Sequence, residues 1–138
     1  MGFKVLVVED DPDARKVLSL ILKLDGFEVS TAPGGQEAIQ AMLVEPPGLL
    51  LLDVMMPGMD GYEVCRWARA NMPTLQMPVI MLSGKADPKS VARGLEAGAD
   101  EYLAKPIKPS NLTKQIRAIL TRAEARMLTS SSQAAIGI

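Results

Sequence analysis

Short apolar runs alternate along the chain with longer stretches in which apolar residues recur every three or four positions. The runs are Val5–Val8, Val29–Ala32, Leu49–Leu52, Val79–Leu82 and Tyr102–Ala104. The first, third and fourth are continuously apolar, as expected of strands covered on both faces, and the second is the weakest. Between the runs, Ala14, Val17, Leu18, Ile21 and Leu22 fall on one helical face, as do Ala38, Ile39, Met42 and Leu43. Val64, Trp67 and Ala68 mark a third helix, and Val91, Ala92 and Leu95 a fourth. Leu112, Ile116, Ile119, Leu120 and Ala123 mark a fifth.

The ends of these segments carry matching signals. Asp11-Pro12 and Asp87-Pro88 each place a capping acid before a proline at the first helical position. Asp60 and Glu63 have the spacing of a capping box. A strand–helix unit repeated five times predicts an α/β fold: a five-stranded parallel sheet, doubly wound, with helices on both faces. With right-handed crossovers, the order 2-1-3-4-5 is the favoured arrangement. After about residue 123 the pattern fades, so residues 1–123 read as one domain and 124–138 as a C-terminal tail or the start of a linker.

Composition adds mainly exclusions. The 138 residues carry a formal net charge of -1, which gives no reason to expect direct nucleic-acid binding or a membrane-surface role. No apolar stretch approaches the ~20 residues of a membrane span, and the N-terminus lacks the form of a signal peptide, so a cytoplasmic protein is expected. There is no histidine, and the single cysteine, Cys65, reads as a packed small hydrophobe. Most zinc sites and histidine-based catalysis are thereby disfavoured.

The chemistry collects where the strands end. In an open parallel sheet, ligands bind beyond the carboxyl ends of the strands. The first predicted strand ends in Glu9, Asp10 and Asp11, the third in Asp53 and the fourth in Ser83, while Lys105 follows the fifth. Asp11 is accounted for as a helix cap, and each of the others has an ordinary reading alone: a solvated loop acid, a paired acid, a turn serine, a surface lysine. Their convergence on one rim is harder to explain so. Asp53 reads as the first residue past the buried part of its strand. Two carboxylates about 5–6 Å apart repel by about 3 kcal/mol at an effective dielectric near 20. A hard divalent cation relieves this, and Mg²⁺ suits one or two carboxylates plus phosphate oxygens. A carboxylate can in turn accept a phosphoryl group.

The stretches VLVVEDDP (5–12), LLLLDVMMPGMDGYEV (49–64), PVIMLSG (78–84) and GLEAGADEYLAKPIKP (94–109) occur in the order found in one family. Over roughly residues 3 to 121 the sequence resembles the receiver domain of two-component response regulators, chemotaxis-regulator-like proteins with a flavodoxin-like (βα)5 fold. The resemblance implies that Asp53 accepts phosphate. Asp10 matches the acid that contacts Mg²⁺ directly, Glu9 the one acting largely through water, and Met55 the position whose backbone carbonyl is a metal ligand. Ser83 matches the switch hydroxyl, Lys105 the phosphate-neutralising lysine, and Tyr102 the aromatic that turns inward when the hydroxyl engages phosphate. The Lys105-Pro106 peptide matches one that is usually cis. Gly84, where alanine is frequent, and Lys85 near the rim depart in detail.

The resemblance further implies a phosphorelay switch rather than an enzyme, with only self-phosphorylation and autodephosphorylation chemistry. A sensor histidine kinase or histidine phosphotransfer protein would supply the phosphoryl group. An output domain or protein would read the face made by the fourth helix, fifth strand and fifth helix, and a homodimer is compatible. An aspartyl-nucleophile hydrolase would place its nucleophile after the first strand. A flavodoxin-like cofactor binder would avoid acids there. A phosphorylation-independent interaction module leaves the acid, hydroxyl and lysine set unexplained.

Overall fold

The computed structural model describes residues 3–136. The strands are β1 (Lys4–Val8), β2 (Glu28–Ala32), β3 (Leu49–Asp53), β4 (Val79–Ser83) and β5 (Glu101–Ala104). The helices are α1 (Pro12–Leu24), α2 (Gly35–Val44), α3 (Gly61–Arg69), α4 (Pro88–Glu96) and α5 (Pro109–Ile136), with a 3₁₀ turn at Met72–Thr74. All strand pairs are parallel, in the order 2-1-3-4-5. The chain divides into two compact units, one ending at Ile107 and one beginning at Lys108. The sheet and α1–α4 belong to the first, and α5 to the second.

Within the first unit the apolar runs do what their composition requires. Every residue of β3 and β4 is buried. Each fully buried leucine or isoleucine there contributes about 1.5–3 kcal/mol. Alternation along the strands sends Leu6, Val8, Leu50, Leu52, Val79 and Met81 into one core. Ala38 and Met42 of α2 and Val64, Cys65 and Ala68 of α3 join them there. Burial pushes the Cys65 thiol up to about 11, consistent with a packed hydrophobe. α1 lies along β1 and β2 and buries Leu22. Val17, aligned with that face by periodicity, is instead 57% exposed, and Ser19 is buried with its hydroxyl donating to the Arg15 carbonyl. β2, at the sheet edge, buries only Ala32, which explains its weak apolar pattern.

The local signals hold as well. Asp11, Asp60 and Asp87 cap α1, α3 and α4, and Asp60 with Glu63 forms the reciprocal capping box. In the second unit, Leu112, Ile116 and Ile119 of α5 are buried. The helix continues through residues 124–136, where the sequence pattern fades; residues 137–138 of the expected tail lie outside the described residues. Among the described residues no helix is long and apolar enough to cross a membrane.

One difference bears on the site. Asp53 does not lie past the buried part of its strand. It is the last residue of β3, paired in register with Leu82, and only 7% exposed. The ladder runs one residue further than the apolar run, so the carboxylate is carried into the covered part of the sheet. The loop that follows returns tightly: the Gly61 N–H donates to the Val54 carbonyl at 3.0 Å. A Cβ on Gly61 would lie 2.5 Å from the Asp53 carbonyl oxygen and 2.8 Å from Val54 Cα. Both are backbone atoms that cannot swing aside. Gly61→Ala is therefore expected to lose about 1–3 kcal/mol in urea unfolding. Gly84→Ala, with nothing within 4 Å of the new Cβ, is expected to keep its stability or gain up to about 1 kcal/mol.

Candidate functional site

The register that builds the sheet also builds the site. β1 and β3 are neighbours, with Val8 opposite Leu52. The next residues, Glu9 and Asp53, therefore emerge side by side at the carboxyl edge. Carboxylate oxygens of Glu9, Asp10 and Asp53 all lie within 4.8 Å of one another. Glu9 is 2% exposed and Asp53 7%, whereas Asp10 is open to solvent. The turn carrying Glu9 and Asp10 is tied to α1 by Arg15, whose guanidinium donates to the Glu9 carbonyl at 2.9 Å and to the Asp10 carbonyl at 3.4 Å.

Lys105, just beyond β5, reaches across to these acids. Its Nζ lies 2.5 Å from Glu9 Oε1 and 3.7 Å from Asp53 Oδ2. Its backbone N–H donates to the Ser83 carbonyl at 2.8 Å, which fixes the start of the reach. The Lys105–Pro106 peptide is cis. The Met55 N–H donates to Asp53 Oδ1 at 3.2 Å, so the loop after β3 folds back over the carboxylate. The Met55 side chain itself is 57% exposed.

One ammonium does not balance this cluster. Burial, then the hydrogen bond and charge of Glu9, push the Asp53 carboxyl up to about 7; Lys105 and the Met55 N–H offset this only in part. Burial also acts to raise Glu9, but hydrogen bonding with Asp53 and Lys105 outweighs it, and Glu9 is held below its ordinary range. Burial acts to lower Lys105, and its two acidic neighbours overcome that and raise it. Lys105 thus favours the ionised form of Glu9, beside an Asp53 carboxyl pushed up to about 7. The donor set is all oxygen, with three acids facing one lysine, two of them buried and Asp10 open to solvent, which fits a hard divalent cation.

Ser83 ends β4 and is fully buried. Its Oγ accepts from the Lys85 N–H at 3.0 Å, and the Tyr102 hydroxyl donates to the Lys85 carbonyl. Tyr102 is 9% exposed, and burial pushes its phenol up to about 12, so it remains a donor. Its ring packs on Gly94 of α4: a Cβ there would lie 2.6 Å from Tyr102 Cδ2 and 2.8 Å from Met81 Sδ. All the acids, the serine, the lysine and the tyrosine singled out from sequence thus lie at or beside one edge. Gly94, Gly61 and Arg15 were not singled out. A glycine inside a helical pattern is the available signal for Gly94; Arg15 has none, because its partners are backbone carbonyls.

The chain matches the family model for the response regulator receiver domain over residues 5–117. It is 42% identical over 124 residues to the DNA-binding response regulator MtrA of Mycolicibacterium smegmatis, covering 90% of this chain and 53% of that protein. It is 41% identical over 123 residues to the transcriptional regulatory protein GltR of Pseudomonas aeruginosa, covering 89% and 51%. Among solved structures it is similar to the chemotaxis protein CheY4 of Vibrio cholerae, with a TM-score of 0.83 and 31% identity over 86% of this chain and 99% of that one. The chain spans about half the length of the curated relatives it matches. These relatives correct the expectation that nucleic acid is no partner. MtrA is itself a DNA-binding protein, and a near-neutral net charge over half of such a protein's length does not exclude that partner class. The motifs, the sheet order and the clustered acids agree with these matches, and the chain belongs to the response regulator receiver domain family.

Proposed function

We propose that this receiver domain is a phosphoacceptor switch of a two-component phosphorelay, with Asp53 as the acceptor. The observation that carries the reading is the state of Asp53: nearly buried, crowded by Glu9 and Asp10, and pushed up to about 7 with Lys105 alongside. Glu9, Asp10, Asp53 and the Met55 backbone carbonyl would hold Mg²⁺. When bound, the ion supplies charge neutralisation for the oxygens of the incoming phosphoryl group. The Asp53 carboxylate attacks phosphorus of a phosphohistidine on a sensor kinase or phosphotransfer protein. The N–P bond breaks, imidazole leaves, and an acyl phosphate forms on Asp53. Lys105 faces the developing charge, and Ser83 stands at the end of the neighbouring strand to take one oxygen.

The acyl phosphate adds strong negative charge to an edge already short of cations. Ser83 and Tyr102 bond to opposite ends of one residue, Lys85, so a shift of the serine toward phosphate moves the acceptor of the tyrosine hydroxyl. The output is read on the α4 and β5 side, as a population shift. Nothing is turned over: the group is transferred to the protein itself, and hydrolysis by water reverses it. A cytoplasmic site of action goes with this reading.

Incubation with acetyl phosphate and Mg²⁺ is expected to add one phosphoryl mass by intact-mass spectrometry. The adduct should be absent in Asp53→Ala and strongly reduced in EDTA. No adduct on the parent protein, or an unchanged one on the variant, would sink the reading.

The raised Asp53 pKa has a signed consequence for metal-free protein. A carboxyl raised from 3.8 to about 7 stabilises the fold below the lower value, and that contribution is lost as pH rises through the higher one. Glu9 acts with the opposite sign: its stabilisation is lost as pH falls below the ordinary carboxylate range. Asn at position 53 mimics the protonated acid. In EDTA, the stability gain of Asp53→Asn over the parent should be near zero at pH about 4, grow through neutrality and level off at about 1–4 kcal/mol. Mg²⁺ should narrow the gap by stabilising the parent. Urea titrations across pH test this; a gap independent of pH would refute the shift.

A further inference from the structure

A second feature of the first unit lies beside that chemistry. A cavity of about 600 Å³ opens between the loop after β3 and the face of α4 turned toward it. Buried Val54, Met56 and Tyr62, with exposed Met55 and Pro57, give it an apolar side. Lys85, Lys89 and Arg93 line the other side, and all three are exposed. No residue of β5 lines it.

The cations outnumber the acids there by one. Asp60 and Asp87 also line the cavity, both as helix caps, and Asp87 feels the charge of Lys85. Asp60 accepts from the Glu63 N–H at 3.0 Å, and Asp87 from the Ser90 N–H at 3.2 Å and the Ser90 hydroxyl at 2.6 Å. Among the described residues none of the three cations forms an ion pair. Arg93 is held in place by stacking: its guanidinium carbon lies 4.2 Å from the centroid of the Tyr62 ring. The Tyr62 hydroxyl donates to the Ser90 carbonyl at 3.2 Å, which fixes the ring against α4. Lys89 and Arg93 stand four residues apart, neighbours on the helix surface about 6 Å apart along its axis.

We propose that this groove docks an acidic amphipathic helical segment of a partner protein. The repeat of the two cations matches carboxylates one turn apart on such a helix. The methionines offer an adaptable apolar surface for a leucine or phenylalanine set between them. A nucleic acid strand would satisfy the cations but leave the methionine side unused. The groove adjoins the Asp53 site, with Met55 and Lys85 contributing to both neighbourhoods, while Lys89 and Arg93 belong to the groove alone.

The test titrates the full chain against a short fluorescein-labelled synthetic helix carrying glutamates four residues apart with leucine between them. A control peptide carries lysine in place of glutamate. Saturable anisotropy is expected for the acidic peptide only, weakening as salt is raised. Lys89→Glu should lower affinity about tenfold or more, as should Arg93→Glu. Amide shifts should concentrate in residues 54–62 and 85–93. The titration uses unphosphorylated protein without Mg²⁺, so failure of the phosphoacceptor reading would leave this result standing. The proposal is overturned by any of four outcomes: no saturation up to about 1 mM, equal binding of the lysine peptide, unchanged affinity in the exposed-site variant Lys89→Glu, or equally tight competition by a single-stranded oligonucleotide.

Discussion

Glu9 and Asp53 leave adjacent strands side by side in a covered part of the protein, with one lysine between them. Much else about the edge follows from that arrangement. Two carboxylates so close cannot both ionise at neutral pH without more positive charge than one ammonium supplies. Lys105 sits nearer Glu9 than Asp53, 2.5 Å against 3.7 Å, and the acids settle accordingly. Glu9 stays ionised, and Asp53 is pushed up to about 7. The strand order is what makes the conflict. β1 beside β3 brings the acids together, and β5 beyond β4 requires the lysine to reach across a strand. A different order of the same strands would separate the three groups.

Much of this was legible in the sequence because the signals are local. Continuous apolar runs announced β1, β3 and β4, whose residues are buried on both faces. β2 read weakly for a physical reason, since an edge strand that buries only Ala32 carries little pattern. The caps were legible because an aspartate bonds a backbone N–H three residues on, whatever lies farther away. The site residues were legible chiefly through family motifs, since periodicity alone places them at strand ends without distinguishing a cap from a ligand. Asp53 shows the limit: a run of leucines indicates where apolar side chains stop, while the hydrogen-bond ladder continues through the carboxylate.

What sequence did not reveal is long-range and mostly backbone. Arg69 at the end of α3 donates to the carbonyls of Gly98 (2.9 Å), Thr74 (3.3 Å), Leu75 (3.2 Å) and Met77 (2.7 Å), and pairs with Asp100 at 3.1 Å. Asp100 in turn accepts the Val79 N–H at 2.8 Å. Carbonyls carry no residue identity, so no pattern betrays such a node. The close packing of Gly94 on Tyr102 was hidden likewise, because it depends on how α4 lies over β5.

These two ends of the parallel strands are built on opposite principles. Where β4 and β5 begin, the Arg69 guanidinium has an acceptor for each of its nitrogens, and Asp100 bonds both Arg69 and the first residue of β4. That node cross-braces the end of α3, the turn before β4 and the turn before β5. Where the strands finish, the Asp53 carboxyl is pushed up to about 7, the Ser83 hydroxyl accepts from a loop amide two residues away, and the Tyr102 hydroxyl donates to the carbonyl of that same loop residue. New charge at Asp53 meets bonds of low redundancy there and a braced lattice at the far end. Under the proposed function, new charge at Asp53 would be felt first in the loops after β3 and β4, which bond the site directly. Strand order places the electrostatic conflict at the carboxyl edge, and the acids that make the conflict are the residues that, in the proposed function, a cation and a phosphoryl group would engage.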